Sequence, residues 1–154
     1  MPETDNIQLN PIGLVETDVP NDEISSRRRD IISQIVIFDE YAQALHGLNE
    51  YSHVIVIFWM HQNGAFSKSV VHPRGNPDLP LTGVLASRGR GHPNPIGLAV
   101  CDLIKLDGQR LTVRRLDAYH GSPIIDIKPY DSYDSYSDIR IPDWLAQRSQ
   151  SSNV

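Results

Sequence analysis

The run Val54-Ile55-Val56-Ile57-Phe58-Trp59-Met60 constrains this chain more than any other segment. Its residues are β-branched or aromatic, which disfavours a helix and suits a pleated strand. Side chains alternate along a strand, so Val54, Val56, Phe58 and Met60 share one face. His53, Ile55, Ile57, Trp59 and His61 share the other. Both faces are mostly apolar. Such a strand is expected in the wall of a barrel or sandwich that is covered on its outside as well as its inside. The run is far short of the ~20 residues that a membrane-spanning helix needs.

Other segments read the same way. Ile7 to Val15 is an apolar stretch broken by Pro11 and Gly13, and Ile31 to Phe38 is β-branched. Ile96 to Leu106 is followed by Asp107-Gly108 and then Leu111-Thr112-Val113-Arg114, and Ile124 to Ile127 closes the series. Asp-Gly between two such runs predicts a tight hairpin, because a type I′ turn needs positive φ at both central residues. One helix is expected over Asp39 to Leu45, capped by Asp39 and ended by Gly47. A second, shorter one is expected over Asp143 to Ala146. Short strands, one clear hairpin and little helix predict a mainly β fold, a small antiparallel β-barrel with one or two short helices. Pattern alone leaves a sandwich open.

With 154 residues the chain suits one domain, 1–154, since domains cluster near ~100–150 residues. The polar ends, 1–6 and 148–154, are expected to be flexible tails. Hydrophobic content of 40% and charged content of 21% exclude a disordered or fibrous chain. The lone cysteine, Cys101, excludes an internal disulfide and a thiolate zinc cluster, which points to a reducing cytoplasm. The N-terminus does not read as a signal peptide, and no membrane contact is expected. A net charge of −5 argues against broad nonspecific nucleic-acid binding, but permits a local basic patch.

Three stretches carry chemistry. The first is Ser87-Arg88-Gly89-Arg90-Gly91-His92-Pro93-Asn94-Pro95-Ile96-Gly97. Its glycines allow close approach to a ligand, and its prolines hold His92 and Asn94 extended. A surface turn with solvated charges would read the same. A phosphate loop would not, since no Gly-Lys-Ser/Thr follows. The second is Gly121 to Tyr130, where Ile124, Asp126 and Lys128 are expected on one strand face, as an ion pair or a polar ligand contact. The third is His61-Gln62-Asn63-Gly64 at the end of the apolar strand, where barrel mouths bind ligands. His53 and His61 lie about 27 Å apart on one strand at ~3.4 Å per residue and cannot share a metal. No metal site is expected. No serine sits in a nucleophile elbow. Arg27-Arg28-Arg29 and Arg114-Arg115 are solvated charges or phosphate contacts.

Four ordered motifs give a resemblance. Pro93-Asn94-Pro95-Ile96-Gly97-Leu98 resembles the PNPIGLS signature of the TsaA/TrmO (YaeB-like) family. Gly47-Leu48 with Tyr51-Ser52-His53 and Phe58-Trp59-Met60-His61 resembles its GLxxFSHxWxxFxFH stretch. Gly121 to Tyr130 resembles GTPVLDIKPY, and Pro11-Ile12-Gly13 its opening PIGV. The resemblance implies a compact, usually dimeric β-barrel that binds S-adenosylmethionine. It implies methylation of N6 of threonylcarbamoyladenosine next to the anticodon of tRNA, hence a cytoplasmic tRNA-processing enzyme acting as a homodimer.

Carried over by motif, His61 and Gln62 match the family's cofactor-contacting pair, and Arg88 matches the arginine of its TRS segment. Asn94 and Leu98 lie in the signature. Leu116, Asp117, Ala118, Tyr119, His120, Gly121, Ser122 and Pro123 match the loop that closes over the cofactor. The acceptor nitrogen must lose a proton, for which His92, His120, Asp126 and Tyr130 are candidates. The chain departs from the family at Gly89-Arg90-Gly91-His92, where the family has Ser-Pro-His-Arg. It also departs at His120, where the family has Asp, and over Glu16 to Asp30, where its RSP…PRQPGL loop is not recognisable. A module that binds S-adenosylmethionine without catalysis, and a histidine-metal barrel hydrolase or dioxygenase, are the competing readings.

Overall fold

A computed structural model describes residues 7–151. In chain order the elements are β1 (Gly13–Glu16), α1 (Asn21–Arg27), β2 (Ile32–Ile37), β3 (His53–Trp59), β4 (Val70–Val71), β5 (Thr82–Gly83), β6 (Ile96–Asp107), β7 (Arg110–Arg114), β8 (Pro123–Pro129) and α2 (Asp143–Ser151). Six strands close into a barrel in the order β1-β2-β7-β6-β3-β8, and every pairing is antiparallel. The predicted barrel is thus present and the sandwich is not. β4 and β5 form a separate two-stranded sheet that the sequence pattern did not single out.

The interior follows from alternation. Val54, Val56 and Phe58 of β3 point inward and meet Ala99 and Cys101 of β6, Leu111 and Val113 of β7, and Ile35 and Ile37 of β2. Phe58 pairs with Gly97, and a Cβ on Gly97 would lie 2.2 Å from the Phe58 ring. The ring therefore occupies the space that any larger residue at 97 would need. Cys101 is fully buried, and burial pushes its thiol up to about 12.

The outer face of β3 differs from expectation. Ile55, Ile57 and Trp59 pair with Val100, Leu98 and Ile96, and these three are 41%, 48% and 42% exposed. Three apolar cross-strand pairs therefore stand half-exposed on the outside of the barrel, where the sequence had predicted a cover.

Other local expectations shift for physical reasons. Asp107 pairs with Arg110, so the hairpin loop is Gly108-Gln109, not Asp107-Gly108. Only Gly108 takes a positive φ (60°), which fits a turn with glycine first. Residues Asp39–Leu45 form a 3₁₀ helix with Phe38 at the cap, and Asp39 instead accepts a hydrogen bond from Gln109. Gly47 follows in the left-handed region (φ 87°), as the stop signal required.

In β8, register shifts between Ile57 and Phe58. Ile57 faces Asp126 and Phe58 faces Ile124, so Ile125 is the extra residue of a bulge. Ile124 is therefore buried in the core while Asp126 faces out, and the expected shared face of Ile124, Asp126 and Lys128 does not exist.

The expected short second helix runs on to Ser151, into the segment read as a tail. Residues 1–6 and 152–154, the rest of the expected tails, lie outside the described residues. α1 was not foreseen in Glu16 to Asp30. Its one buried residue is Ile24, too sparse an apolar pattern to announce a helix. No helix among the described residues is long and apolar enough to cross a membrane.

Candidate functional site

At the end of β3 the chain leaves the barrel through Met60-His61-Gln62-Asn63. Met60 N donates to Pro95 O at 2.7 Å, and Asn63 Nδ2 donates to Arg90 O at 2.7 Å. Two hydrogen bonds thus clamp the glycine–proline loop onto the end of this strand. The loop is braced internally by His92 Nε2 against Ser87 O (2.8 Å).

From the far side, the chain turns at Arg115 (φ 76°) and Leu116 to Tyr119 lead toward β8. Alternation sends Leu116 and Ala118 into the core and leaves Asp117 and Tyr119 outside it. The Arg90 guanidinium lies 4.7 Å from the Tyr119 ring centre, a cation–π contact that joins loop to strand end.

These segments border a small open cleft. Phe58 and Met60 give it an apolar floor. His61, Gln62, Asn63, Arg90, Asp117, Tyr119 and Ser122 supply its polar wall.

α1 closes one flank: Asn21 Nδ2 donates to Gln62 Oε1 at 3.1 Å, and Thr17 N donates to His120 Nδ1 at 3.3 Å. The unrecognisable Glu16–Asp30 segment is therefore part of the site's surroundings. No motif could have announced it, because the contact joins residues far apart in sequence.

Of the residues singled out from sequence, His61, Gln62, Asp117, Tyr119 and Ser122 converge on this cleft. Gly121, at φ 78°, makes the turn that carries Ser122 into it, and Pro123 opens β8. Leu116 and Ala118 are 0% and 1% exposed and belong to the core, so their side chains do not line a ligand site. Leu98 faces outward on the barrel wall, and Arg88 Nη2 donates to its carbonyl at 3.3 Å. Asn94 is exposed and its carbonyl accepts from Ile96 N. Asn63 and Arg90 stood in the notable stretches without matching the cofactor set. Their place in the cleft comes from the loop clamp.

The four proton-accepting candidates scatter. His92 and His120 sit on the two flanks. Asp126 faces a second, larger groove of about 520 Å³ under the 3₁₀ helix, and binds Lys128 at 2.8 Å. That carboxylate holds the Lys128 ammonium above its usual range. Tyr130 packs near His53, ring centres 6.1 Å apart, at the start of β3. The cleft lies at that strand's other end, roughly 20 Å away at ~3.3 Å per residue. Among the described residues no three His, Cys, Asp or Glu side chains are placed to hold a metal ion.

The donor set suits S-adenosylmethionine. An apolar floor and an aromatic ring accept a purine, amides and serine accept ribose hydroxyls, and one carboxylate and one guanidinium answer an amino acid's two charges.

The family described as tRNA-methyltransferase O N-terminal domain matches residues 15–135. An Archaeoglobus fulgidus protein named S-adenosyl-L-methionine-binding protein is 40% identical over 125 residues, covering 79% of this chain and 88% of that one. The human tRNA (adenine(37)-N6)-methyltransferase is 34% identical, covering 96% of this chain but 36% of the enzyme. A crystal structure of TrmO from Pseudomonas aeruginosa superposes with a TM-score of 0.70 at 27% identity, covering 88% of this chain and 61% of that one. The chain thus spans less than two thirds of that solved structure, and about a third of the human enzyme.

Proposed function

This chain belongs to the tRNA-methyltransferase O N-terminal domain family, and from that premise we propose that it is an S-adenosylmethionine-dependent methyltransferase acting on adenine N6 in tRNA. The acceptor is threonylcarbamoyladenosine beside the anticodon, the protein works in the cytoplasm, and its active form is a homodimer. One observation carries the reading: the strand-end residues His61 and Gln62 and the closing-loop residues Asp117, Tyr119 and Ser122 line a single cleft under the clamped loop.

When bound there, S-adenosylmethionine supplies an electrophilic methyl group on a sulfonium. The chain's own work is to hold and orient. Phe58 and Met60 exclude water, Tyr119 and Arg90 offer a stacking surface, and Asp117 places a negative charge where a cationic ligand gains from it. Arg88, Arg90, Arg28 and Arg29 are exposed around this end, and α1 is fixed to Gln62 through Asn21, so local positive charge is available to an RNA backbone despite the net −5.

The dimer has a face to use. The six-residue apolar patch on β3 and β6 is bordered by charges of both signs, Asp126 with Lys128 and Asp102 with Arg115. Both signs around an apolar centre suit contact with a second copy of the same surface.

The test pairs calorimetric titration of S-adenosylmethionine with transfer of a tritiated methyl group to unfractionated tRNA. Binding followed by label at adenine N6 is expected. A second reading is favoured by the archaeal relatives, whose names record binding alone and which match this chain over most of their length. On it the barrel binds the cofactor without transfer, and the same experiment gives binding with no label in any RNA.

A further inference from the structure

The polar side chains at the cleft form a chain whose chemistry locates a proton. Asn21 Nδ2 lies 3.1 Å from Gln62 Oε1, Gln62 Nε2 lies 3.4 Å from His61 Nε2, and His61 Nδ1 lies 3.4 Å from Ser122 Oγ. An amide nitrogen only donates. Asn21 therefore gives its hydrogen to the Gln62 oxygen, which leaves the Gln62 nitrogen facing His61 Nε2 as a donor. Nε2 must accept, so the neutral ring carries its proton on Nδ1 and directs it at Ser122 Oγ. Ser122 is 1% exposed, so its hydroxyl is held where it stands. The amide contact that covers Nε2 is long beside the ~2.9–3.0 Å of a good hydrogen bond, and an incoming group displaces it at small cost.

The other bases are less well placed. His120 Nδ1 accepts from Thr17 N at 3.3 Å, and His120 is not among the residues that line the cleft. His92 holds Nε2 against Ser87 O and does not line the cleft. Asp126 is bound to Lys128, and Tyr130 stands at the opposite end of β3. The charged and titratable groups that share the cleft with His61 are Arg90, Asp117 and Tyr119. Arg90 carries no lone pair to offer, and neither Asp117 nor Tyr119 belongs to the hydrogen-bonded chain that orients His61.

We propose that His61 is the catalytic base of the reaction, taking at Nε2 the proton that the acceptor nitrogen sheds. Asn21, Gln62 and Ser122 are positioning residues that fix the ring tautomer with its lone pair on Nε2, under the long and displaceable Gln62 contact. The inference rests on the methyltransferase reading above. The balance is simple: the N–CH3 bond would form as the sulfonium's S–CH3 bond breaks, its electron pair staying on sulfur as a neutral thioether, while the nitrogen's proton moves onto the Nε2 lone pair and the resulting imidazolium returns it to water.

Two measurements on this chain test the proposal. The first needs no ligand: long-range ¹H–¹⁵N correlation of the imidazole at neutral pH should show His61 protonated on Nδ1 alone, and protonation on Nε2 overturns the proposal. The second compares wild type with His61→Ala, using tritiated S-adenosylmethionine and unfractionated tRNA. Loss of the base should lower kcat by about 10²–10⁴-fold, abolish the acidic limb of the pH–rate profile, and be partly rescued by added imidazole. Because His61 also lines the cofactor cleft, calorimetric affinity should fall too, but by less than kcat measured at saturating cofactor. Ser122→Ala should lower kcat, leave KM in place and mix the two tautomers. An undiminished kcat in His61→Ala, or a loss explained wholly by weaker cofactor binding and not rescued by imidazole, overturns the role of His61 alone. A wild type that binds the cofactor and labels no RNA overturns the methyltransferase reading, and this role with it.

Discussion

Gly97 and Phe58 share one volume, and that sharing sets the end of β3 from which the cleft residues hang. A methyl group at position 97 would force a buried ring to move, and that ring also forms the cleft floor. Gly97→Ala should therefore cost about 1–3 kcal/mol in urea unfolding, the usual penalty for overpacking a core. It should also weaken S-adenosylmethionine binding in calorimetry. A variant as stable as wild type would show that the ring relaxes freely. At this scale much of the site was legible. His61 and Gln62 were marked by their place after an apolar strand, and Asp117, Tyr119 and Ser122 by their motif. Leu116 and Ala118 turn their side chains into the core, because a motif assigns a stretch, whereas alternation assigns side chains one by one, so only their backbone is left to face a ligand. The proton-accepting candidates were chosen by residue type, and type does not say which ring nitrogen already has a partner.

Elements were legible where the sequence carried its own punctuation. The β6–β7 hairpin was foreseen from Asp107-Gly108, and it was misplaced by one residue because the register is set by pairing along both strands. Its glycine takes φ 60°, with nothing within 4 Å of an added Cβ. Gly108→Ala should thus act through the backbone alone and cost roughly 1–2 kcal/mol of stability by thermal or urea melting, with cofactor affinity unchanged. No measurable loss would mean that the turn adopts another form at no cost. The bulge at Ile125 was not legible. It adds one residue to a regular apolar–polar run, and only the competition between the β3 pairing and the core position of Ile124 reveals it. α1 went unseen for the opposite reason, since a single buried Ile24 leaves no period to read.

The barrel was foreseen from several short strands, one hairpin and little helix, with the family resemblance favouring it over a sandwich, but the exposure of its outer face was not. The outer face that the sequence marked for a cover is a half-exposed patch, and it is the surface on which the proposed homodimer would form. Val100→Glu places a charge at the patch while leaving the interior alternation intact. It should turn a dimer into a monomer in analytical ultracentrifugation without changing the far-ultraviolet dichroism. A wild-type chain that sediments as a monomer at micromolar concentration would remove the dimer. The sealed interior also has a consequence that reaches beyond catalysis. Cys101 has no exposure, and its thiol is raised from 9.0 to about 12 by burial first and then by Asp117 and Asp102. Between those values the unfolded chain gives up a proton that the native chain keeps. Stability should therefore fall as pH rises through that window, by at most about 1.4 kcal/mol per unit, and less steeply in Cys101→Ala. Near neutrality the same thiol is shut away from iodoacetamide until the staves part, so its alkylation in native buffer serves as a stopwatch for the opening of the entire molecule.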